Sequence, residues 1–223
     1  IVGNRVDSGV GVGIGCNYYD HCPCLMARAV CGSMLYSFSM NSDGSKTERV
    51  AIYIDANNFF GYLKDAAVNF PKGTKFDYTA FVNYLAQGRA VVSKRYYIGI
   101  IRNVDNSDKS KDLVRGQQKF LSKIEQEGFV IKRGRIVYDG KVREKGTDVK
   151  IAVDLVIGAV DNLYDTAILV SSDTDLIPAI KYLKFRRKKL DYVGFSHAPS
   201  LGMQKFADVS ILLLPEDINK FKK

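Results

Sequence analysis

The chain has 223 residues and a formal net charge of +9, with 46% hydrophobic and 26% charged residues. This apolar fraction can build a core and excludes a disordered chain, and the length suits one large domain, or one domain with an appendage. No run of about 18 apolar residues occurs, which argues against a membrane span. The positive charge is typical of proteins with a polyanionic partner, although solubility alone also explains a basic surface.

The first 48 residues differ from the rest of the chain. They carry three basic against four acidic residues, whereas the remainder carries 30 basic against 20 acidic ones. All four cysteines lie here, and their gaps do not match the Cys-x2-4-Cys spacing of structural zinc sites. No helical or strand period is long enough to assign. We therefore expect a poorly ordered extension over residues 1–48, with a mis-called start as one explanation, and a folded domain over residues 49–223.

From residue 49 onward, strands alternate with helices. In chain order the expected elements are a strand at 50–54, helices at 56–67 and 78–87, a strand at 94–101, a helix at 111–127, strands at 129–131 and 135–138, a helix at 147–161, a strand at 167–171, a helix at 173–185, a strand at 190–195, a helix at 200–206 and a strand at 210–214. The alternation predicts a three-layer α/β/α domain with a mainly parallel central sheet.

Aspartates follow two of the predicted strands. Asp55 closes the first strand, and Asp173 and Asp175 follow the strand at 167–171. In parallel sheets, functional groups gather at the carboxyl ends of the strands, near a switch in strand order. Three carboxylates brought together repel one another unless a cation lies among them, and oxygen ligands favour Mg²⁺ or Mn²⁺. Helix capping explains each residue alone, but their occurrence at two strand ends favours the metal.

The third contributor to this site is Asp148 or Asp154, both on the predicted helix 147–161. Six residues correspond to about 240° around an ideal helix, so the two side chains cannot point to one place. Asp148 lies in the first turn, where the helix dipole favours a carboxylate. Asp154 interrupts an apolar run, and its simpler interpretation is a surface ion pair with Lys150. Geometry alone leaves both open.

Three segments carry a recognisable pattern in a fixed order. They are IYIDANN at 52–58, KGTDVKIAVD at 145–154 and ILVSSDTDL at 168–176, and Ala207-Asp208 precedes the last predicted strand. Together they resemble the NYN domain family, the LabA-like members of the PIN-like nuclease superfamily, over roughly residues 49–214. The resemblance implies a PIN-like α/β/α fold, a divalent-metal site of Asp residues and ribonuclease activity.

The resemblance also implies roles for individual residues. The metal ligands and catalytic residues would be Asp55, Asp148, Asp173 and Asp175, with Asn58 as a helper in the loop after the first strand and Asp154 as a further catalytic candidate. One position departs from the family. Ser172 stands where many relatives have Gly, and a serine there would tighten the turn between strand and helix.

Basic residues concentrate just before Asp148, where they favour phosphate steering over a purely solvating role. The candidates for nucleic-acid binding are Lys132, Arg133, Arg135, Arg143 and Lys145. Aromatic side chains can stack unpaired bases. Most of those near the motifs are better explained as core, and of Tyr96 and Tyr97, which alternate along one strand, only one can be exposed to RNA.

The sequence therefore predicts a cytoplasmic, Mg²⁺- or Mn²⁺-dependent endoribonuclease that acts on RNA, with single-stranded RNA preferred. A homodimer is left open. Only two histidines and no Gly-x-x-x-x-Gly-Lys loop are present, so triad and nucleotide-loop chemistries fit poorly. Two alternatives remain: a catalytically silent RNA-binding or protein-interaction module, and a phosphatase-type phosphotransfer enzyme.

Overall fold

The computed structural model describes residues 47–65, 68, 70, 74–101, 107–139 and 141–223, without the side chains of residues 136–139 and 141–144. All but the last two residues of the predicted extension lie outside the described residues, so the two-part division of the chain stays a prediction. Glu48 already contacts the folded domain, because the hydroxyl of Thr166 donates a hydrogen bond to its carboxylate at 2.5 Å.

The described residues form one seven-stranded sheet. Its strands are β1 (Arg49–Asp55), β2 (Ala90–Ile100), β3 (Val130–Asp139), β4 (Lys141–Lys145), β5 (Thr166–Val170), β6 (Lys189–Phe195) and β7 (Val209–Leu213). The spatial order is β4-β3-β2-β1-β5-β6-β7. In this spatial order, the six neighbouring strands β3-β2-β1-β5-β6-β7 are parallel. The edge strand β4 pairs with β3 in antiparallel orientation.

Helices connect the strands. They are α1 (Ala56–Leu63), α2 (Tyr78–Ala86), α3 (Asp108–Gln126), α4 (Thr147–Val160), α5 (Ile177–Phe185), α6 (Leu201–Phe206) and α7 (Pro215–Asn219), with a 3-10 turn over Thr174–Leu176 before α5. The predicted cap of α2 is confirmed, since Asp77 accepts the backbone N–H of Ala80 at 3.0 Å. No helix in the described parts of the chain is both long and apolar enough to span a bilayer.

The apolar side chains form two cores, one on each face of the sheet. Side chains alternate along β1, so that Val50, Ile52 and Ile54 lie in one core and Ala51 and Tyr53 in the other. The first core contains side chains of α1, α2 and α3, and the second contains side chains of α4, α5 and α6. The predicted three-layer α/β/α architecture is therefore confirmed, and it is a PIN-like fold.

Several predicted bounds differ from the structure, and β4 and α7 were not predicted. The strands expected at 129–131 and 135–138 are one strand, β3, because its first half pairs with β2 and its second half with β4. The helix expected from residue 173 begins at Ile177, after the 3-10 turn. Pro178 lies in the first turn of α5, the only part of a helix where its missing N–H has no cost.

Candidate functional site

The strand order reverses direction between β1 and β5. From β1 the chain adds β2 and β3 on one side, whereas β5, β6 and β7 follow on the other. Ile54 is in register with Val170, so the residues after both strands emerge at the same edge. Ligand sites of open parallel sheets lie at such a switch point. The motifs around Asp55 and Asp173 therefore meet where the fold favours a site.

Asp55 is buried at the end of β1 and caps α1. One carboxylate oxygen accepts the backbone N–H groups of Asn57 and Asn58, at 3.1 and 3.2 Å. The other accepts the hydroxyl of Ser171 at 3.1 Å. All these donors are neutral, so they orient the carboxylate without cancelling its charge. The capping role that explains Asp55 alone is thus present, and it leaves the ligand role as a proposal.

Hydrogen bonds tie the first turn of α1, where Asn58 lies instead of in the predicted loop, to the segment after β5. The side-chain carbonyl of Asn58 accepts the N–H of Ser172 at 3.1 Å, and Ser171 Oγ accepts the N–H of Asp173 at 3.2 Å. Ser172 Oγ lies 2.8 Å from Tyr192 Oη. These bonds hold Asp173 beside the end of β1. The sequence predicted Asn58 here but missed the role of Ser171, whose position at a strand end, two residues before Asp173, was the available signal.

Asp173 and Asp175 lie at the start of the 3-10 turn. Asp173 is half-buried and accepts the backbone N–H of Asp175 at 2.9 Å, as the capping interpretation predicts. Asp175 is exposed. The turn places the two carboxylates, which are separated by Thr174, at the edge of the site before α5 begins.

Asp148 lies in the first turn of α4, which contacts the 3-10 turn. Its pKa is raised above the ordinary value, first by partial burial and then by the negative charges of Asp173 and Asp175. Like charges act this way only when they share a neighbourhood. The structure therefore brings Asp148, Asp173 and Asp175 together from separate motifs. We call these three residues with Asp55 the acidic site.

The chemistry of the acidic site fits a hard divalent cation, because its donors are carboxylates, the oxygen ligands that such ions prefer. Its spacing fits less closely. Within the described ranges, no three Asp, Glu, His or Cys side chains are placed so that they could hold a metal ion. The four carboxylates therefore share one edge of the sheet without surrounding a single point.

Asp154 lies in a different environment, on the side of α4 that faces β2 and β3. Its carboxylate accepts the hydroxyl of Tyr97 at 2.8 Å and lies 3.2 Å from both Arg95 and Lys132. The predicted ion pair between Asp154 and Lys150 is wrong, because the Lys150 ammonium instead donates to the backbone carbonyl of Arg133. We call Asp154, Arg95, Lys132 and Tyr97 the ion-pair cluster. The 240° between residues six apart on a helix separates it from Asp148.

The basic candidates do not share one environment. Lys132 belongs to the ion-pair cluster, and Arg133 is exposed with its guanidinium 3.7 Å from Glu125. Arg135 and Lys145 are exposed and face each other across the β3–β4 pair. The side chain of Arg143 lies outside the described residues.

The aromatic side chains Phe59, Tyr96 and Tyr97, near the motifs, belong to the core. Tyr96 and Tyr97 alternate between the two faces of β2 as expected, but both are buried. Neither is therefore exposed to RNA, because helices cover both faces of the sheet. Phe59 is also buried, as the core interpretation predicts.

The six parallel strands and the switch-point site define an open α/β/α protein, an architecture consistent with a PIN-like fold. A family model described as the NYN domain matches residues 49–214, and the chain belongs to the NYN domain family. This family is nuclease-like and related to RNA, and NYN and PIN-like nucleases typically use divalent metals.

One solved structure is similar along its whole length. It is the crystal structure of a protein of unknown function from Vibrio parahaemolyticus, with 25% sequence identity and a TM-score of 0.58. The match covers 82% of this chain and 100% of that chain. Among curated proteins, none matches.

Proposed function

We propose that this protein is a metal-dependent endoribonuclease whose catalytic centre is the acidic site. The observation that carries the proposal is the contact between the helix of Asp148 and the turn of Asp173 and Asp175, at the switch point of a fold whose family is nuclease-like. Carboxylates held close together repel one another, which is unfavourable unless something else uses their charge. A cation and the phosphate that it attracts are the simplest use.

The residues that would hold Mg²⁺ or Mn²⁺ are Asp55, Asp148, Asp173 and Asp175, and their side chains would have to turn toward a common point to do so. A bound ion of this kind polarises a phosphodiester and lowers the pKa of a water molecule. The protein's own contribution is to orient the carboxylates. Asn58 and Ser171 do this by joining the end of β1 and the first turn of α1 to the segment after β5, and the backbone caps keep Asp55 and Asp173 in place.

RNA would be held by the basic surface next to the acidic site. Arg135 and Lys145 are the best-placed candidates, because both are exposed and Lys145 precedes the first turn of α4 by two residues. Their charges would pair with phosphates, so binding should weaken as the salt concentration rises. Single-stranded RNA is the expected form, since a phosphate in an unpaired strand is accessible from more directions.

One observation favours a second candidate, a silent RNA-binding module. Asp55 and Asp173 already accept backbone N–H groups as helix caps, which is a sufficient structural reason for both. Under this alternative the basic surface binds RNA and the acidic site never turns over.

Cleavage of end-labelled single-stranded RNA in the presence of Mn²⁺ separates these candidates. We expect cleavage that EDTA abolishes and that Asp55→Asn and Asp173→Asn each lower by about 100-fold, as the loss of a group that stabilises the transition state does. As a matched control, Asp108→Asn changes an exposed carboxylate on α3 and should leave cleavage unchanged.

Each other outcome selects a different function. Salt-dependent binding of intact RNA without cleavage favours the silent module. Hydrolysis of a small phosphomonoester, with RNA left intact, favours a phosphatase-type enzyme. Cleavage that persists in EDTA and in both variants rules out the metal mechanism.

A further inference from the structure

The outer surface of α4 carries an apolar stripe. Its members are Val149, Val153, Ile157 and Val160, whose exposed fractions are 65%, 48%, 46% and 44%. Steps of four, four and three residues place them on one face of a helix. The opposite face of α4 is buried in the second core. A surface helix normally has a polar outer face, so this helix is apolar on two sides.

The stripe is too regular to be scattered surface hydrophobicity. Single exposed apolar residues are common, whereas contiguous apolar patches mark interaction sites. The four side chains occupy successive turns over about 16 Å of helix, at 1.5 Å per residue. The stripe does not suit RNA, because its side chains offer neither cations for phosphates nor aromatic rings for bases.

We propose that this stripe is the interface of a homodimer in which α4 packs antiparallel against α4 of a second copy. In a twofold-symmetric interface, if residue i contacts residue j of the partner, then j contacts i. One register then pairs every member of the stripe. Val149 faces Val160 of the second copy, and Val153 faces Ile157.

The charges beside the stripe fit the same register. Lys150 precedes Val153 by one turn, and Asp161 follows Val160 at the end of α4. At 100° per residue, both lie on the same flank, about 100° and 120° around the helix from Val149. Two antiparallel helices bring like flanks together, so Lys150 of each copy faces Asp161 of the other.

The charge pairs follow the same residue sum as the apolar ones. In an antiparallel pair, residues that face each other have a constant sum of residue numbers. The sum for Lys150 and Asp161 lies within two of the sums for the two apolar pairs, so the same register serves all three. Lys150 also donates to the carbonyl of Arg133, and an ammonium has three protons to share. A second copy of this chain is therefore the occupant that the charges favour.

The dimer would place two acidic sites on one particle. Asp148 lies one residue before the stripe, so the two copies of Asp148 would be about 20 Å apart along the paired helices. The proposal does not depend on the nuclease assignment, because it predicts a mass and not an activity.

Sedimentation of the full chain tests the dimer. For a subunit of 24.9 kDa, we expect a particle of twice that mass at micromolar concentration. Val153→Glu places a charge at the centre of the stripe and should raise the dimer dissociation constant by about 30-fold or more. Leu201→Glu is the matched control, because Leu201 lies on α6 and is 78% exposed. It should leave the mass unchanged.

A charge exchange tests the antiparallel register. Lys150→Glu and Asp161→Lys should each raise the dissociation constant by about 5-fold, since a symmetric dimer uses each pair twice. The double variant should recover the wild-type value. Circular dichroism confirms that each variant is folded. A monomeric wild type, or a dimer that Val153→Glu leaves intact, overturns the proposal; a dimer without recovery in the double variant overturns the register.

Discussion

Asp148 and Asp154 lie on the same helix, yet their surroundings are opposite. Asp148 meets the negative charges of Asp173 and Asp175, which raise its pKa. Asp154 meets the two cations of the ion-pair cluster and the hydroxyl of Tyr97. One carboxylate is thus left uncompensated at the sheet edge, and the other is neutralised between α4 and the sheet.

The difference separates a candidate functional carboxylate from a structural one. A compensated ion pair restrains the helix that carries it, since breaking it would leave charges partly buried. A carboxylate whose pKa is raised by like charges opposes folding when it ionises, and such groups concentrate at functional sites. The ion-pair cluster therefore fixes α4 on β2 and β3, and the first turn of α4 presents Asp148 at the acidic site.

The largest expected effect is on activity. Asp148→Asn removes the charge from the acidic site and should lower RNA cleavage by about 100-fold, because the site loses a group that acts on the reacting phosphate. Its unfolding free energy should not fall. Cleavage kinetics and urea denaturation of the same preparation check both statements. A variant that cleaves normally would remove Asp148 from the catalytic centre.

Asp154→Asn should act on stability. It leaves Arg95 and Lys132 without their carboxylate in a site where Asp154 is only 14% exposed, and we expect a loss of about 2 kcal/mol in unfolding free energy. Asp112→Asn on α3 is the matched control. It breaks an exposed pair with Arg115 and should change stability by less than about 1 kcal/mol. Equal losses in the two variants would contradict a structural role for the cluster.

A methyl group added to α4 should lower stability without changing any charge. The Cβ of Gly158→Ala would lie 2.4 Å from a ring carbon of Tyr164 and 3.1 Å from the hydroxyl of Tyr53. We expect a loss of about 1.5 kcal/mol from this overpacking, measured by denaturation. Gly116→Ala on α3 meets no described atom within 4 Å and should instead stabilise the protein by about 0.5 kcal/mol. If both substitutions stabilise, α4 packs less tightly than the structure indicates.

The smallest expected effect is a pH-dependent difference in unfolding free energy between Asp148→Asn and the wild type. Because folding raises the pKa of Asp148, ionisation disfavours the folded state, and the wild type loses stability as the pH rises through the folded-state pKa. Below the ordinary value of 3.8 the carboxyl is protonated in both states, and the difference between variant and wild type should vanish. At neutral pH the variant should be more stable by less than about 1 kcal/mol.

Thermal denaturation of the same two proteins with Mg²⁺ tests whether the acidic site binds the ion. An ion that binds the folded acidic site should raise the melting temperature of the wild type and not that of Asp148→Asn. The readout is independent of cleavage. An identical rise in both proteins would place the ion elsewhere.

Much of this protein was determined by the sequence alone, because local patterns carry it. Apolar runs followed by helical segments predict the parallel sheet, and an Asp at the end of two such runs predicts that carboxylates meet at one edge. The caps formed by Asp55, Asp77 and Asp173 are equally local, since each bonds a backbone N–H two or three residues later.

Only the tertiary structure distinguished the surroundings of Asp148 from those of Asp154. The groups that bind the Asp154 carboxylate come from distant strands: Tyr97 is 57 residues away and Lys132 is 22. The periodic pattern of apolar residues does not reveal contacts between residues this far apart. The sequence therefore placed the two aspartates on one helix without distinguishing them. The burial of Tyr97 and the exposed outer face of α4 have the same cause. Both depend on which elements pack together, and that choice rests on contacts between residues far apart in the chain.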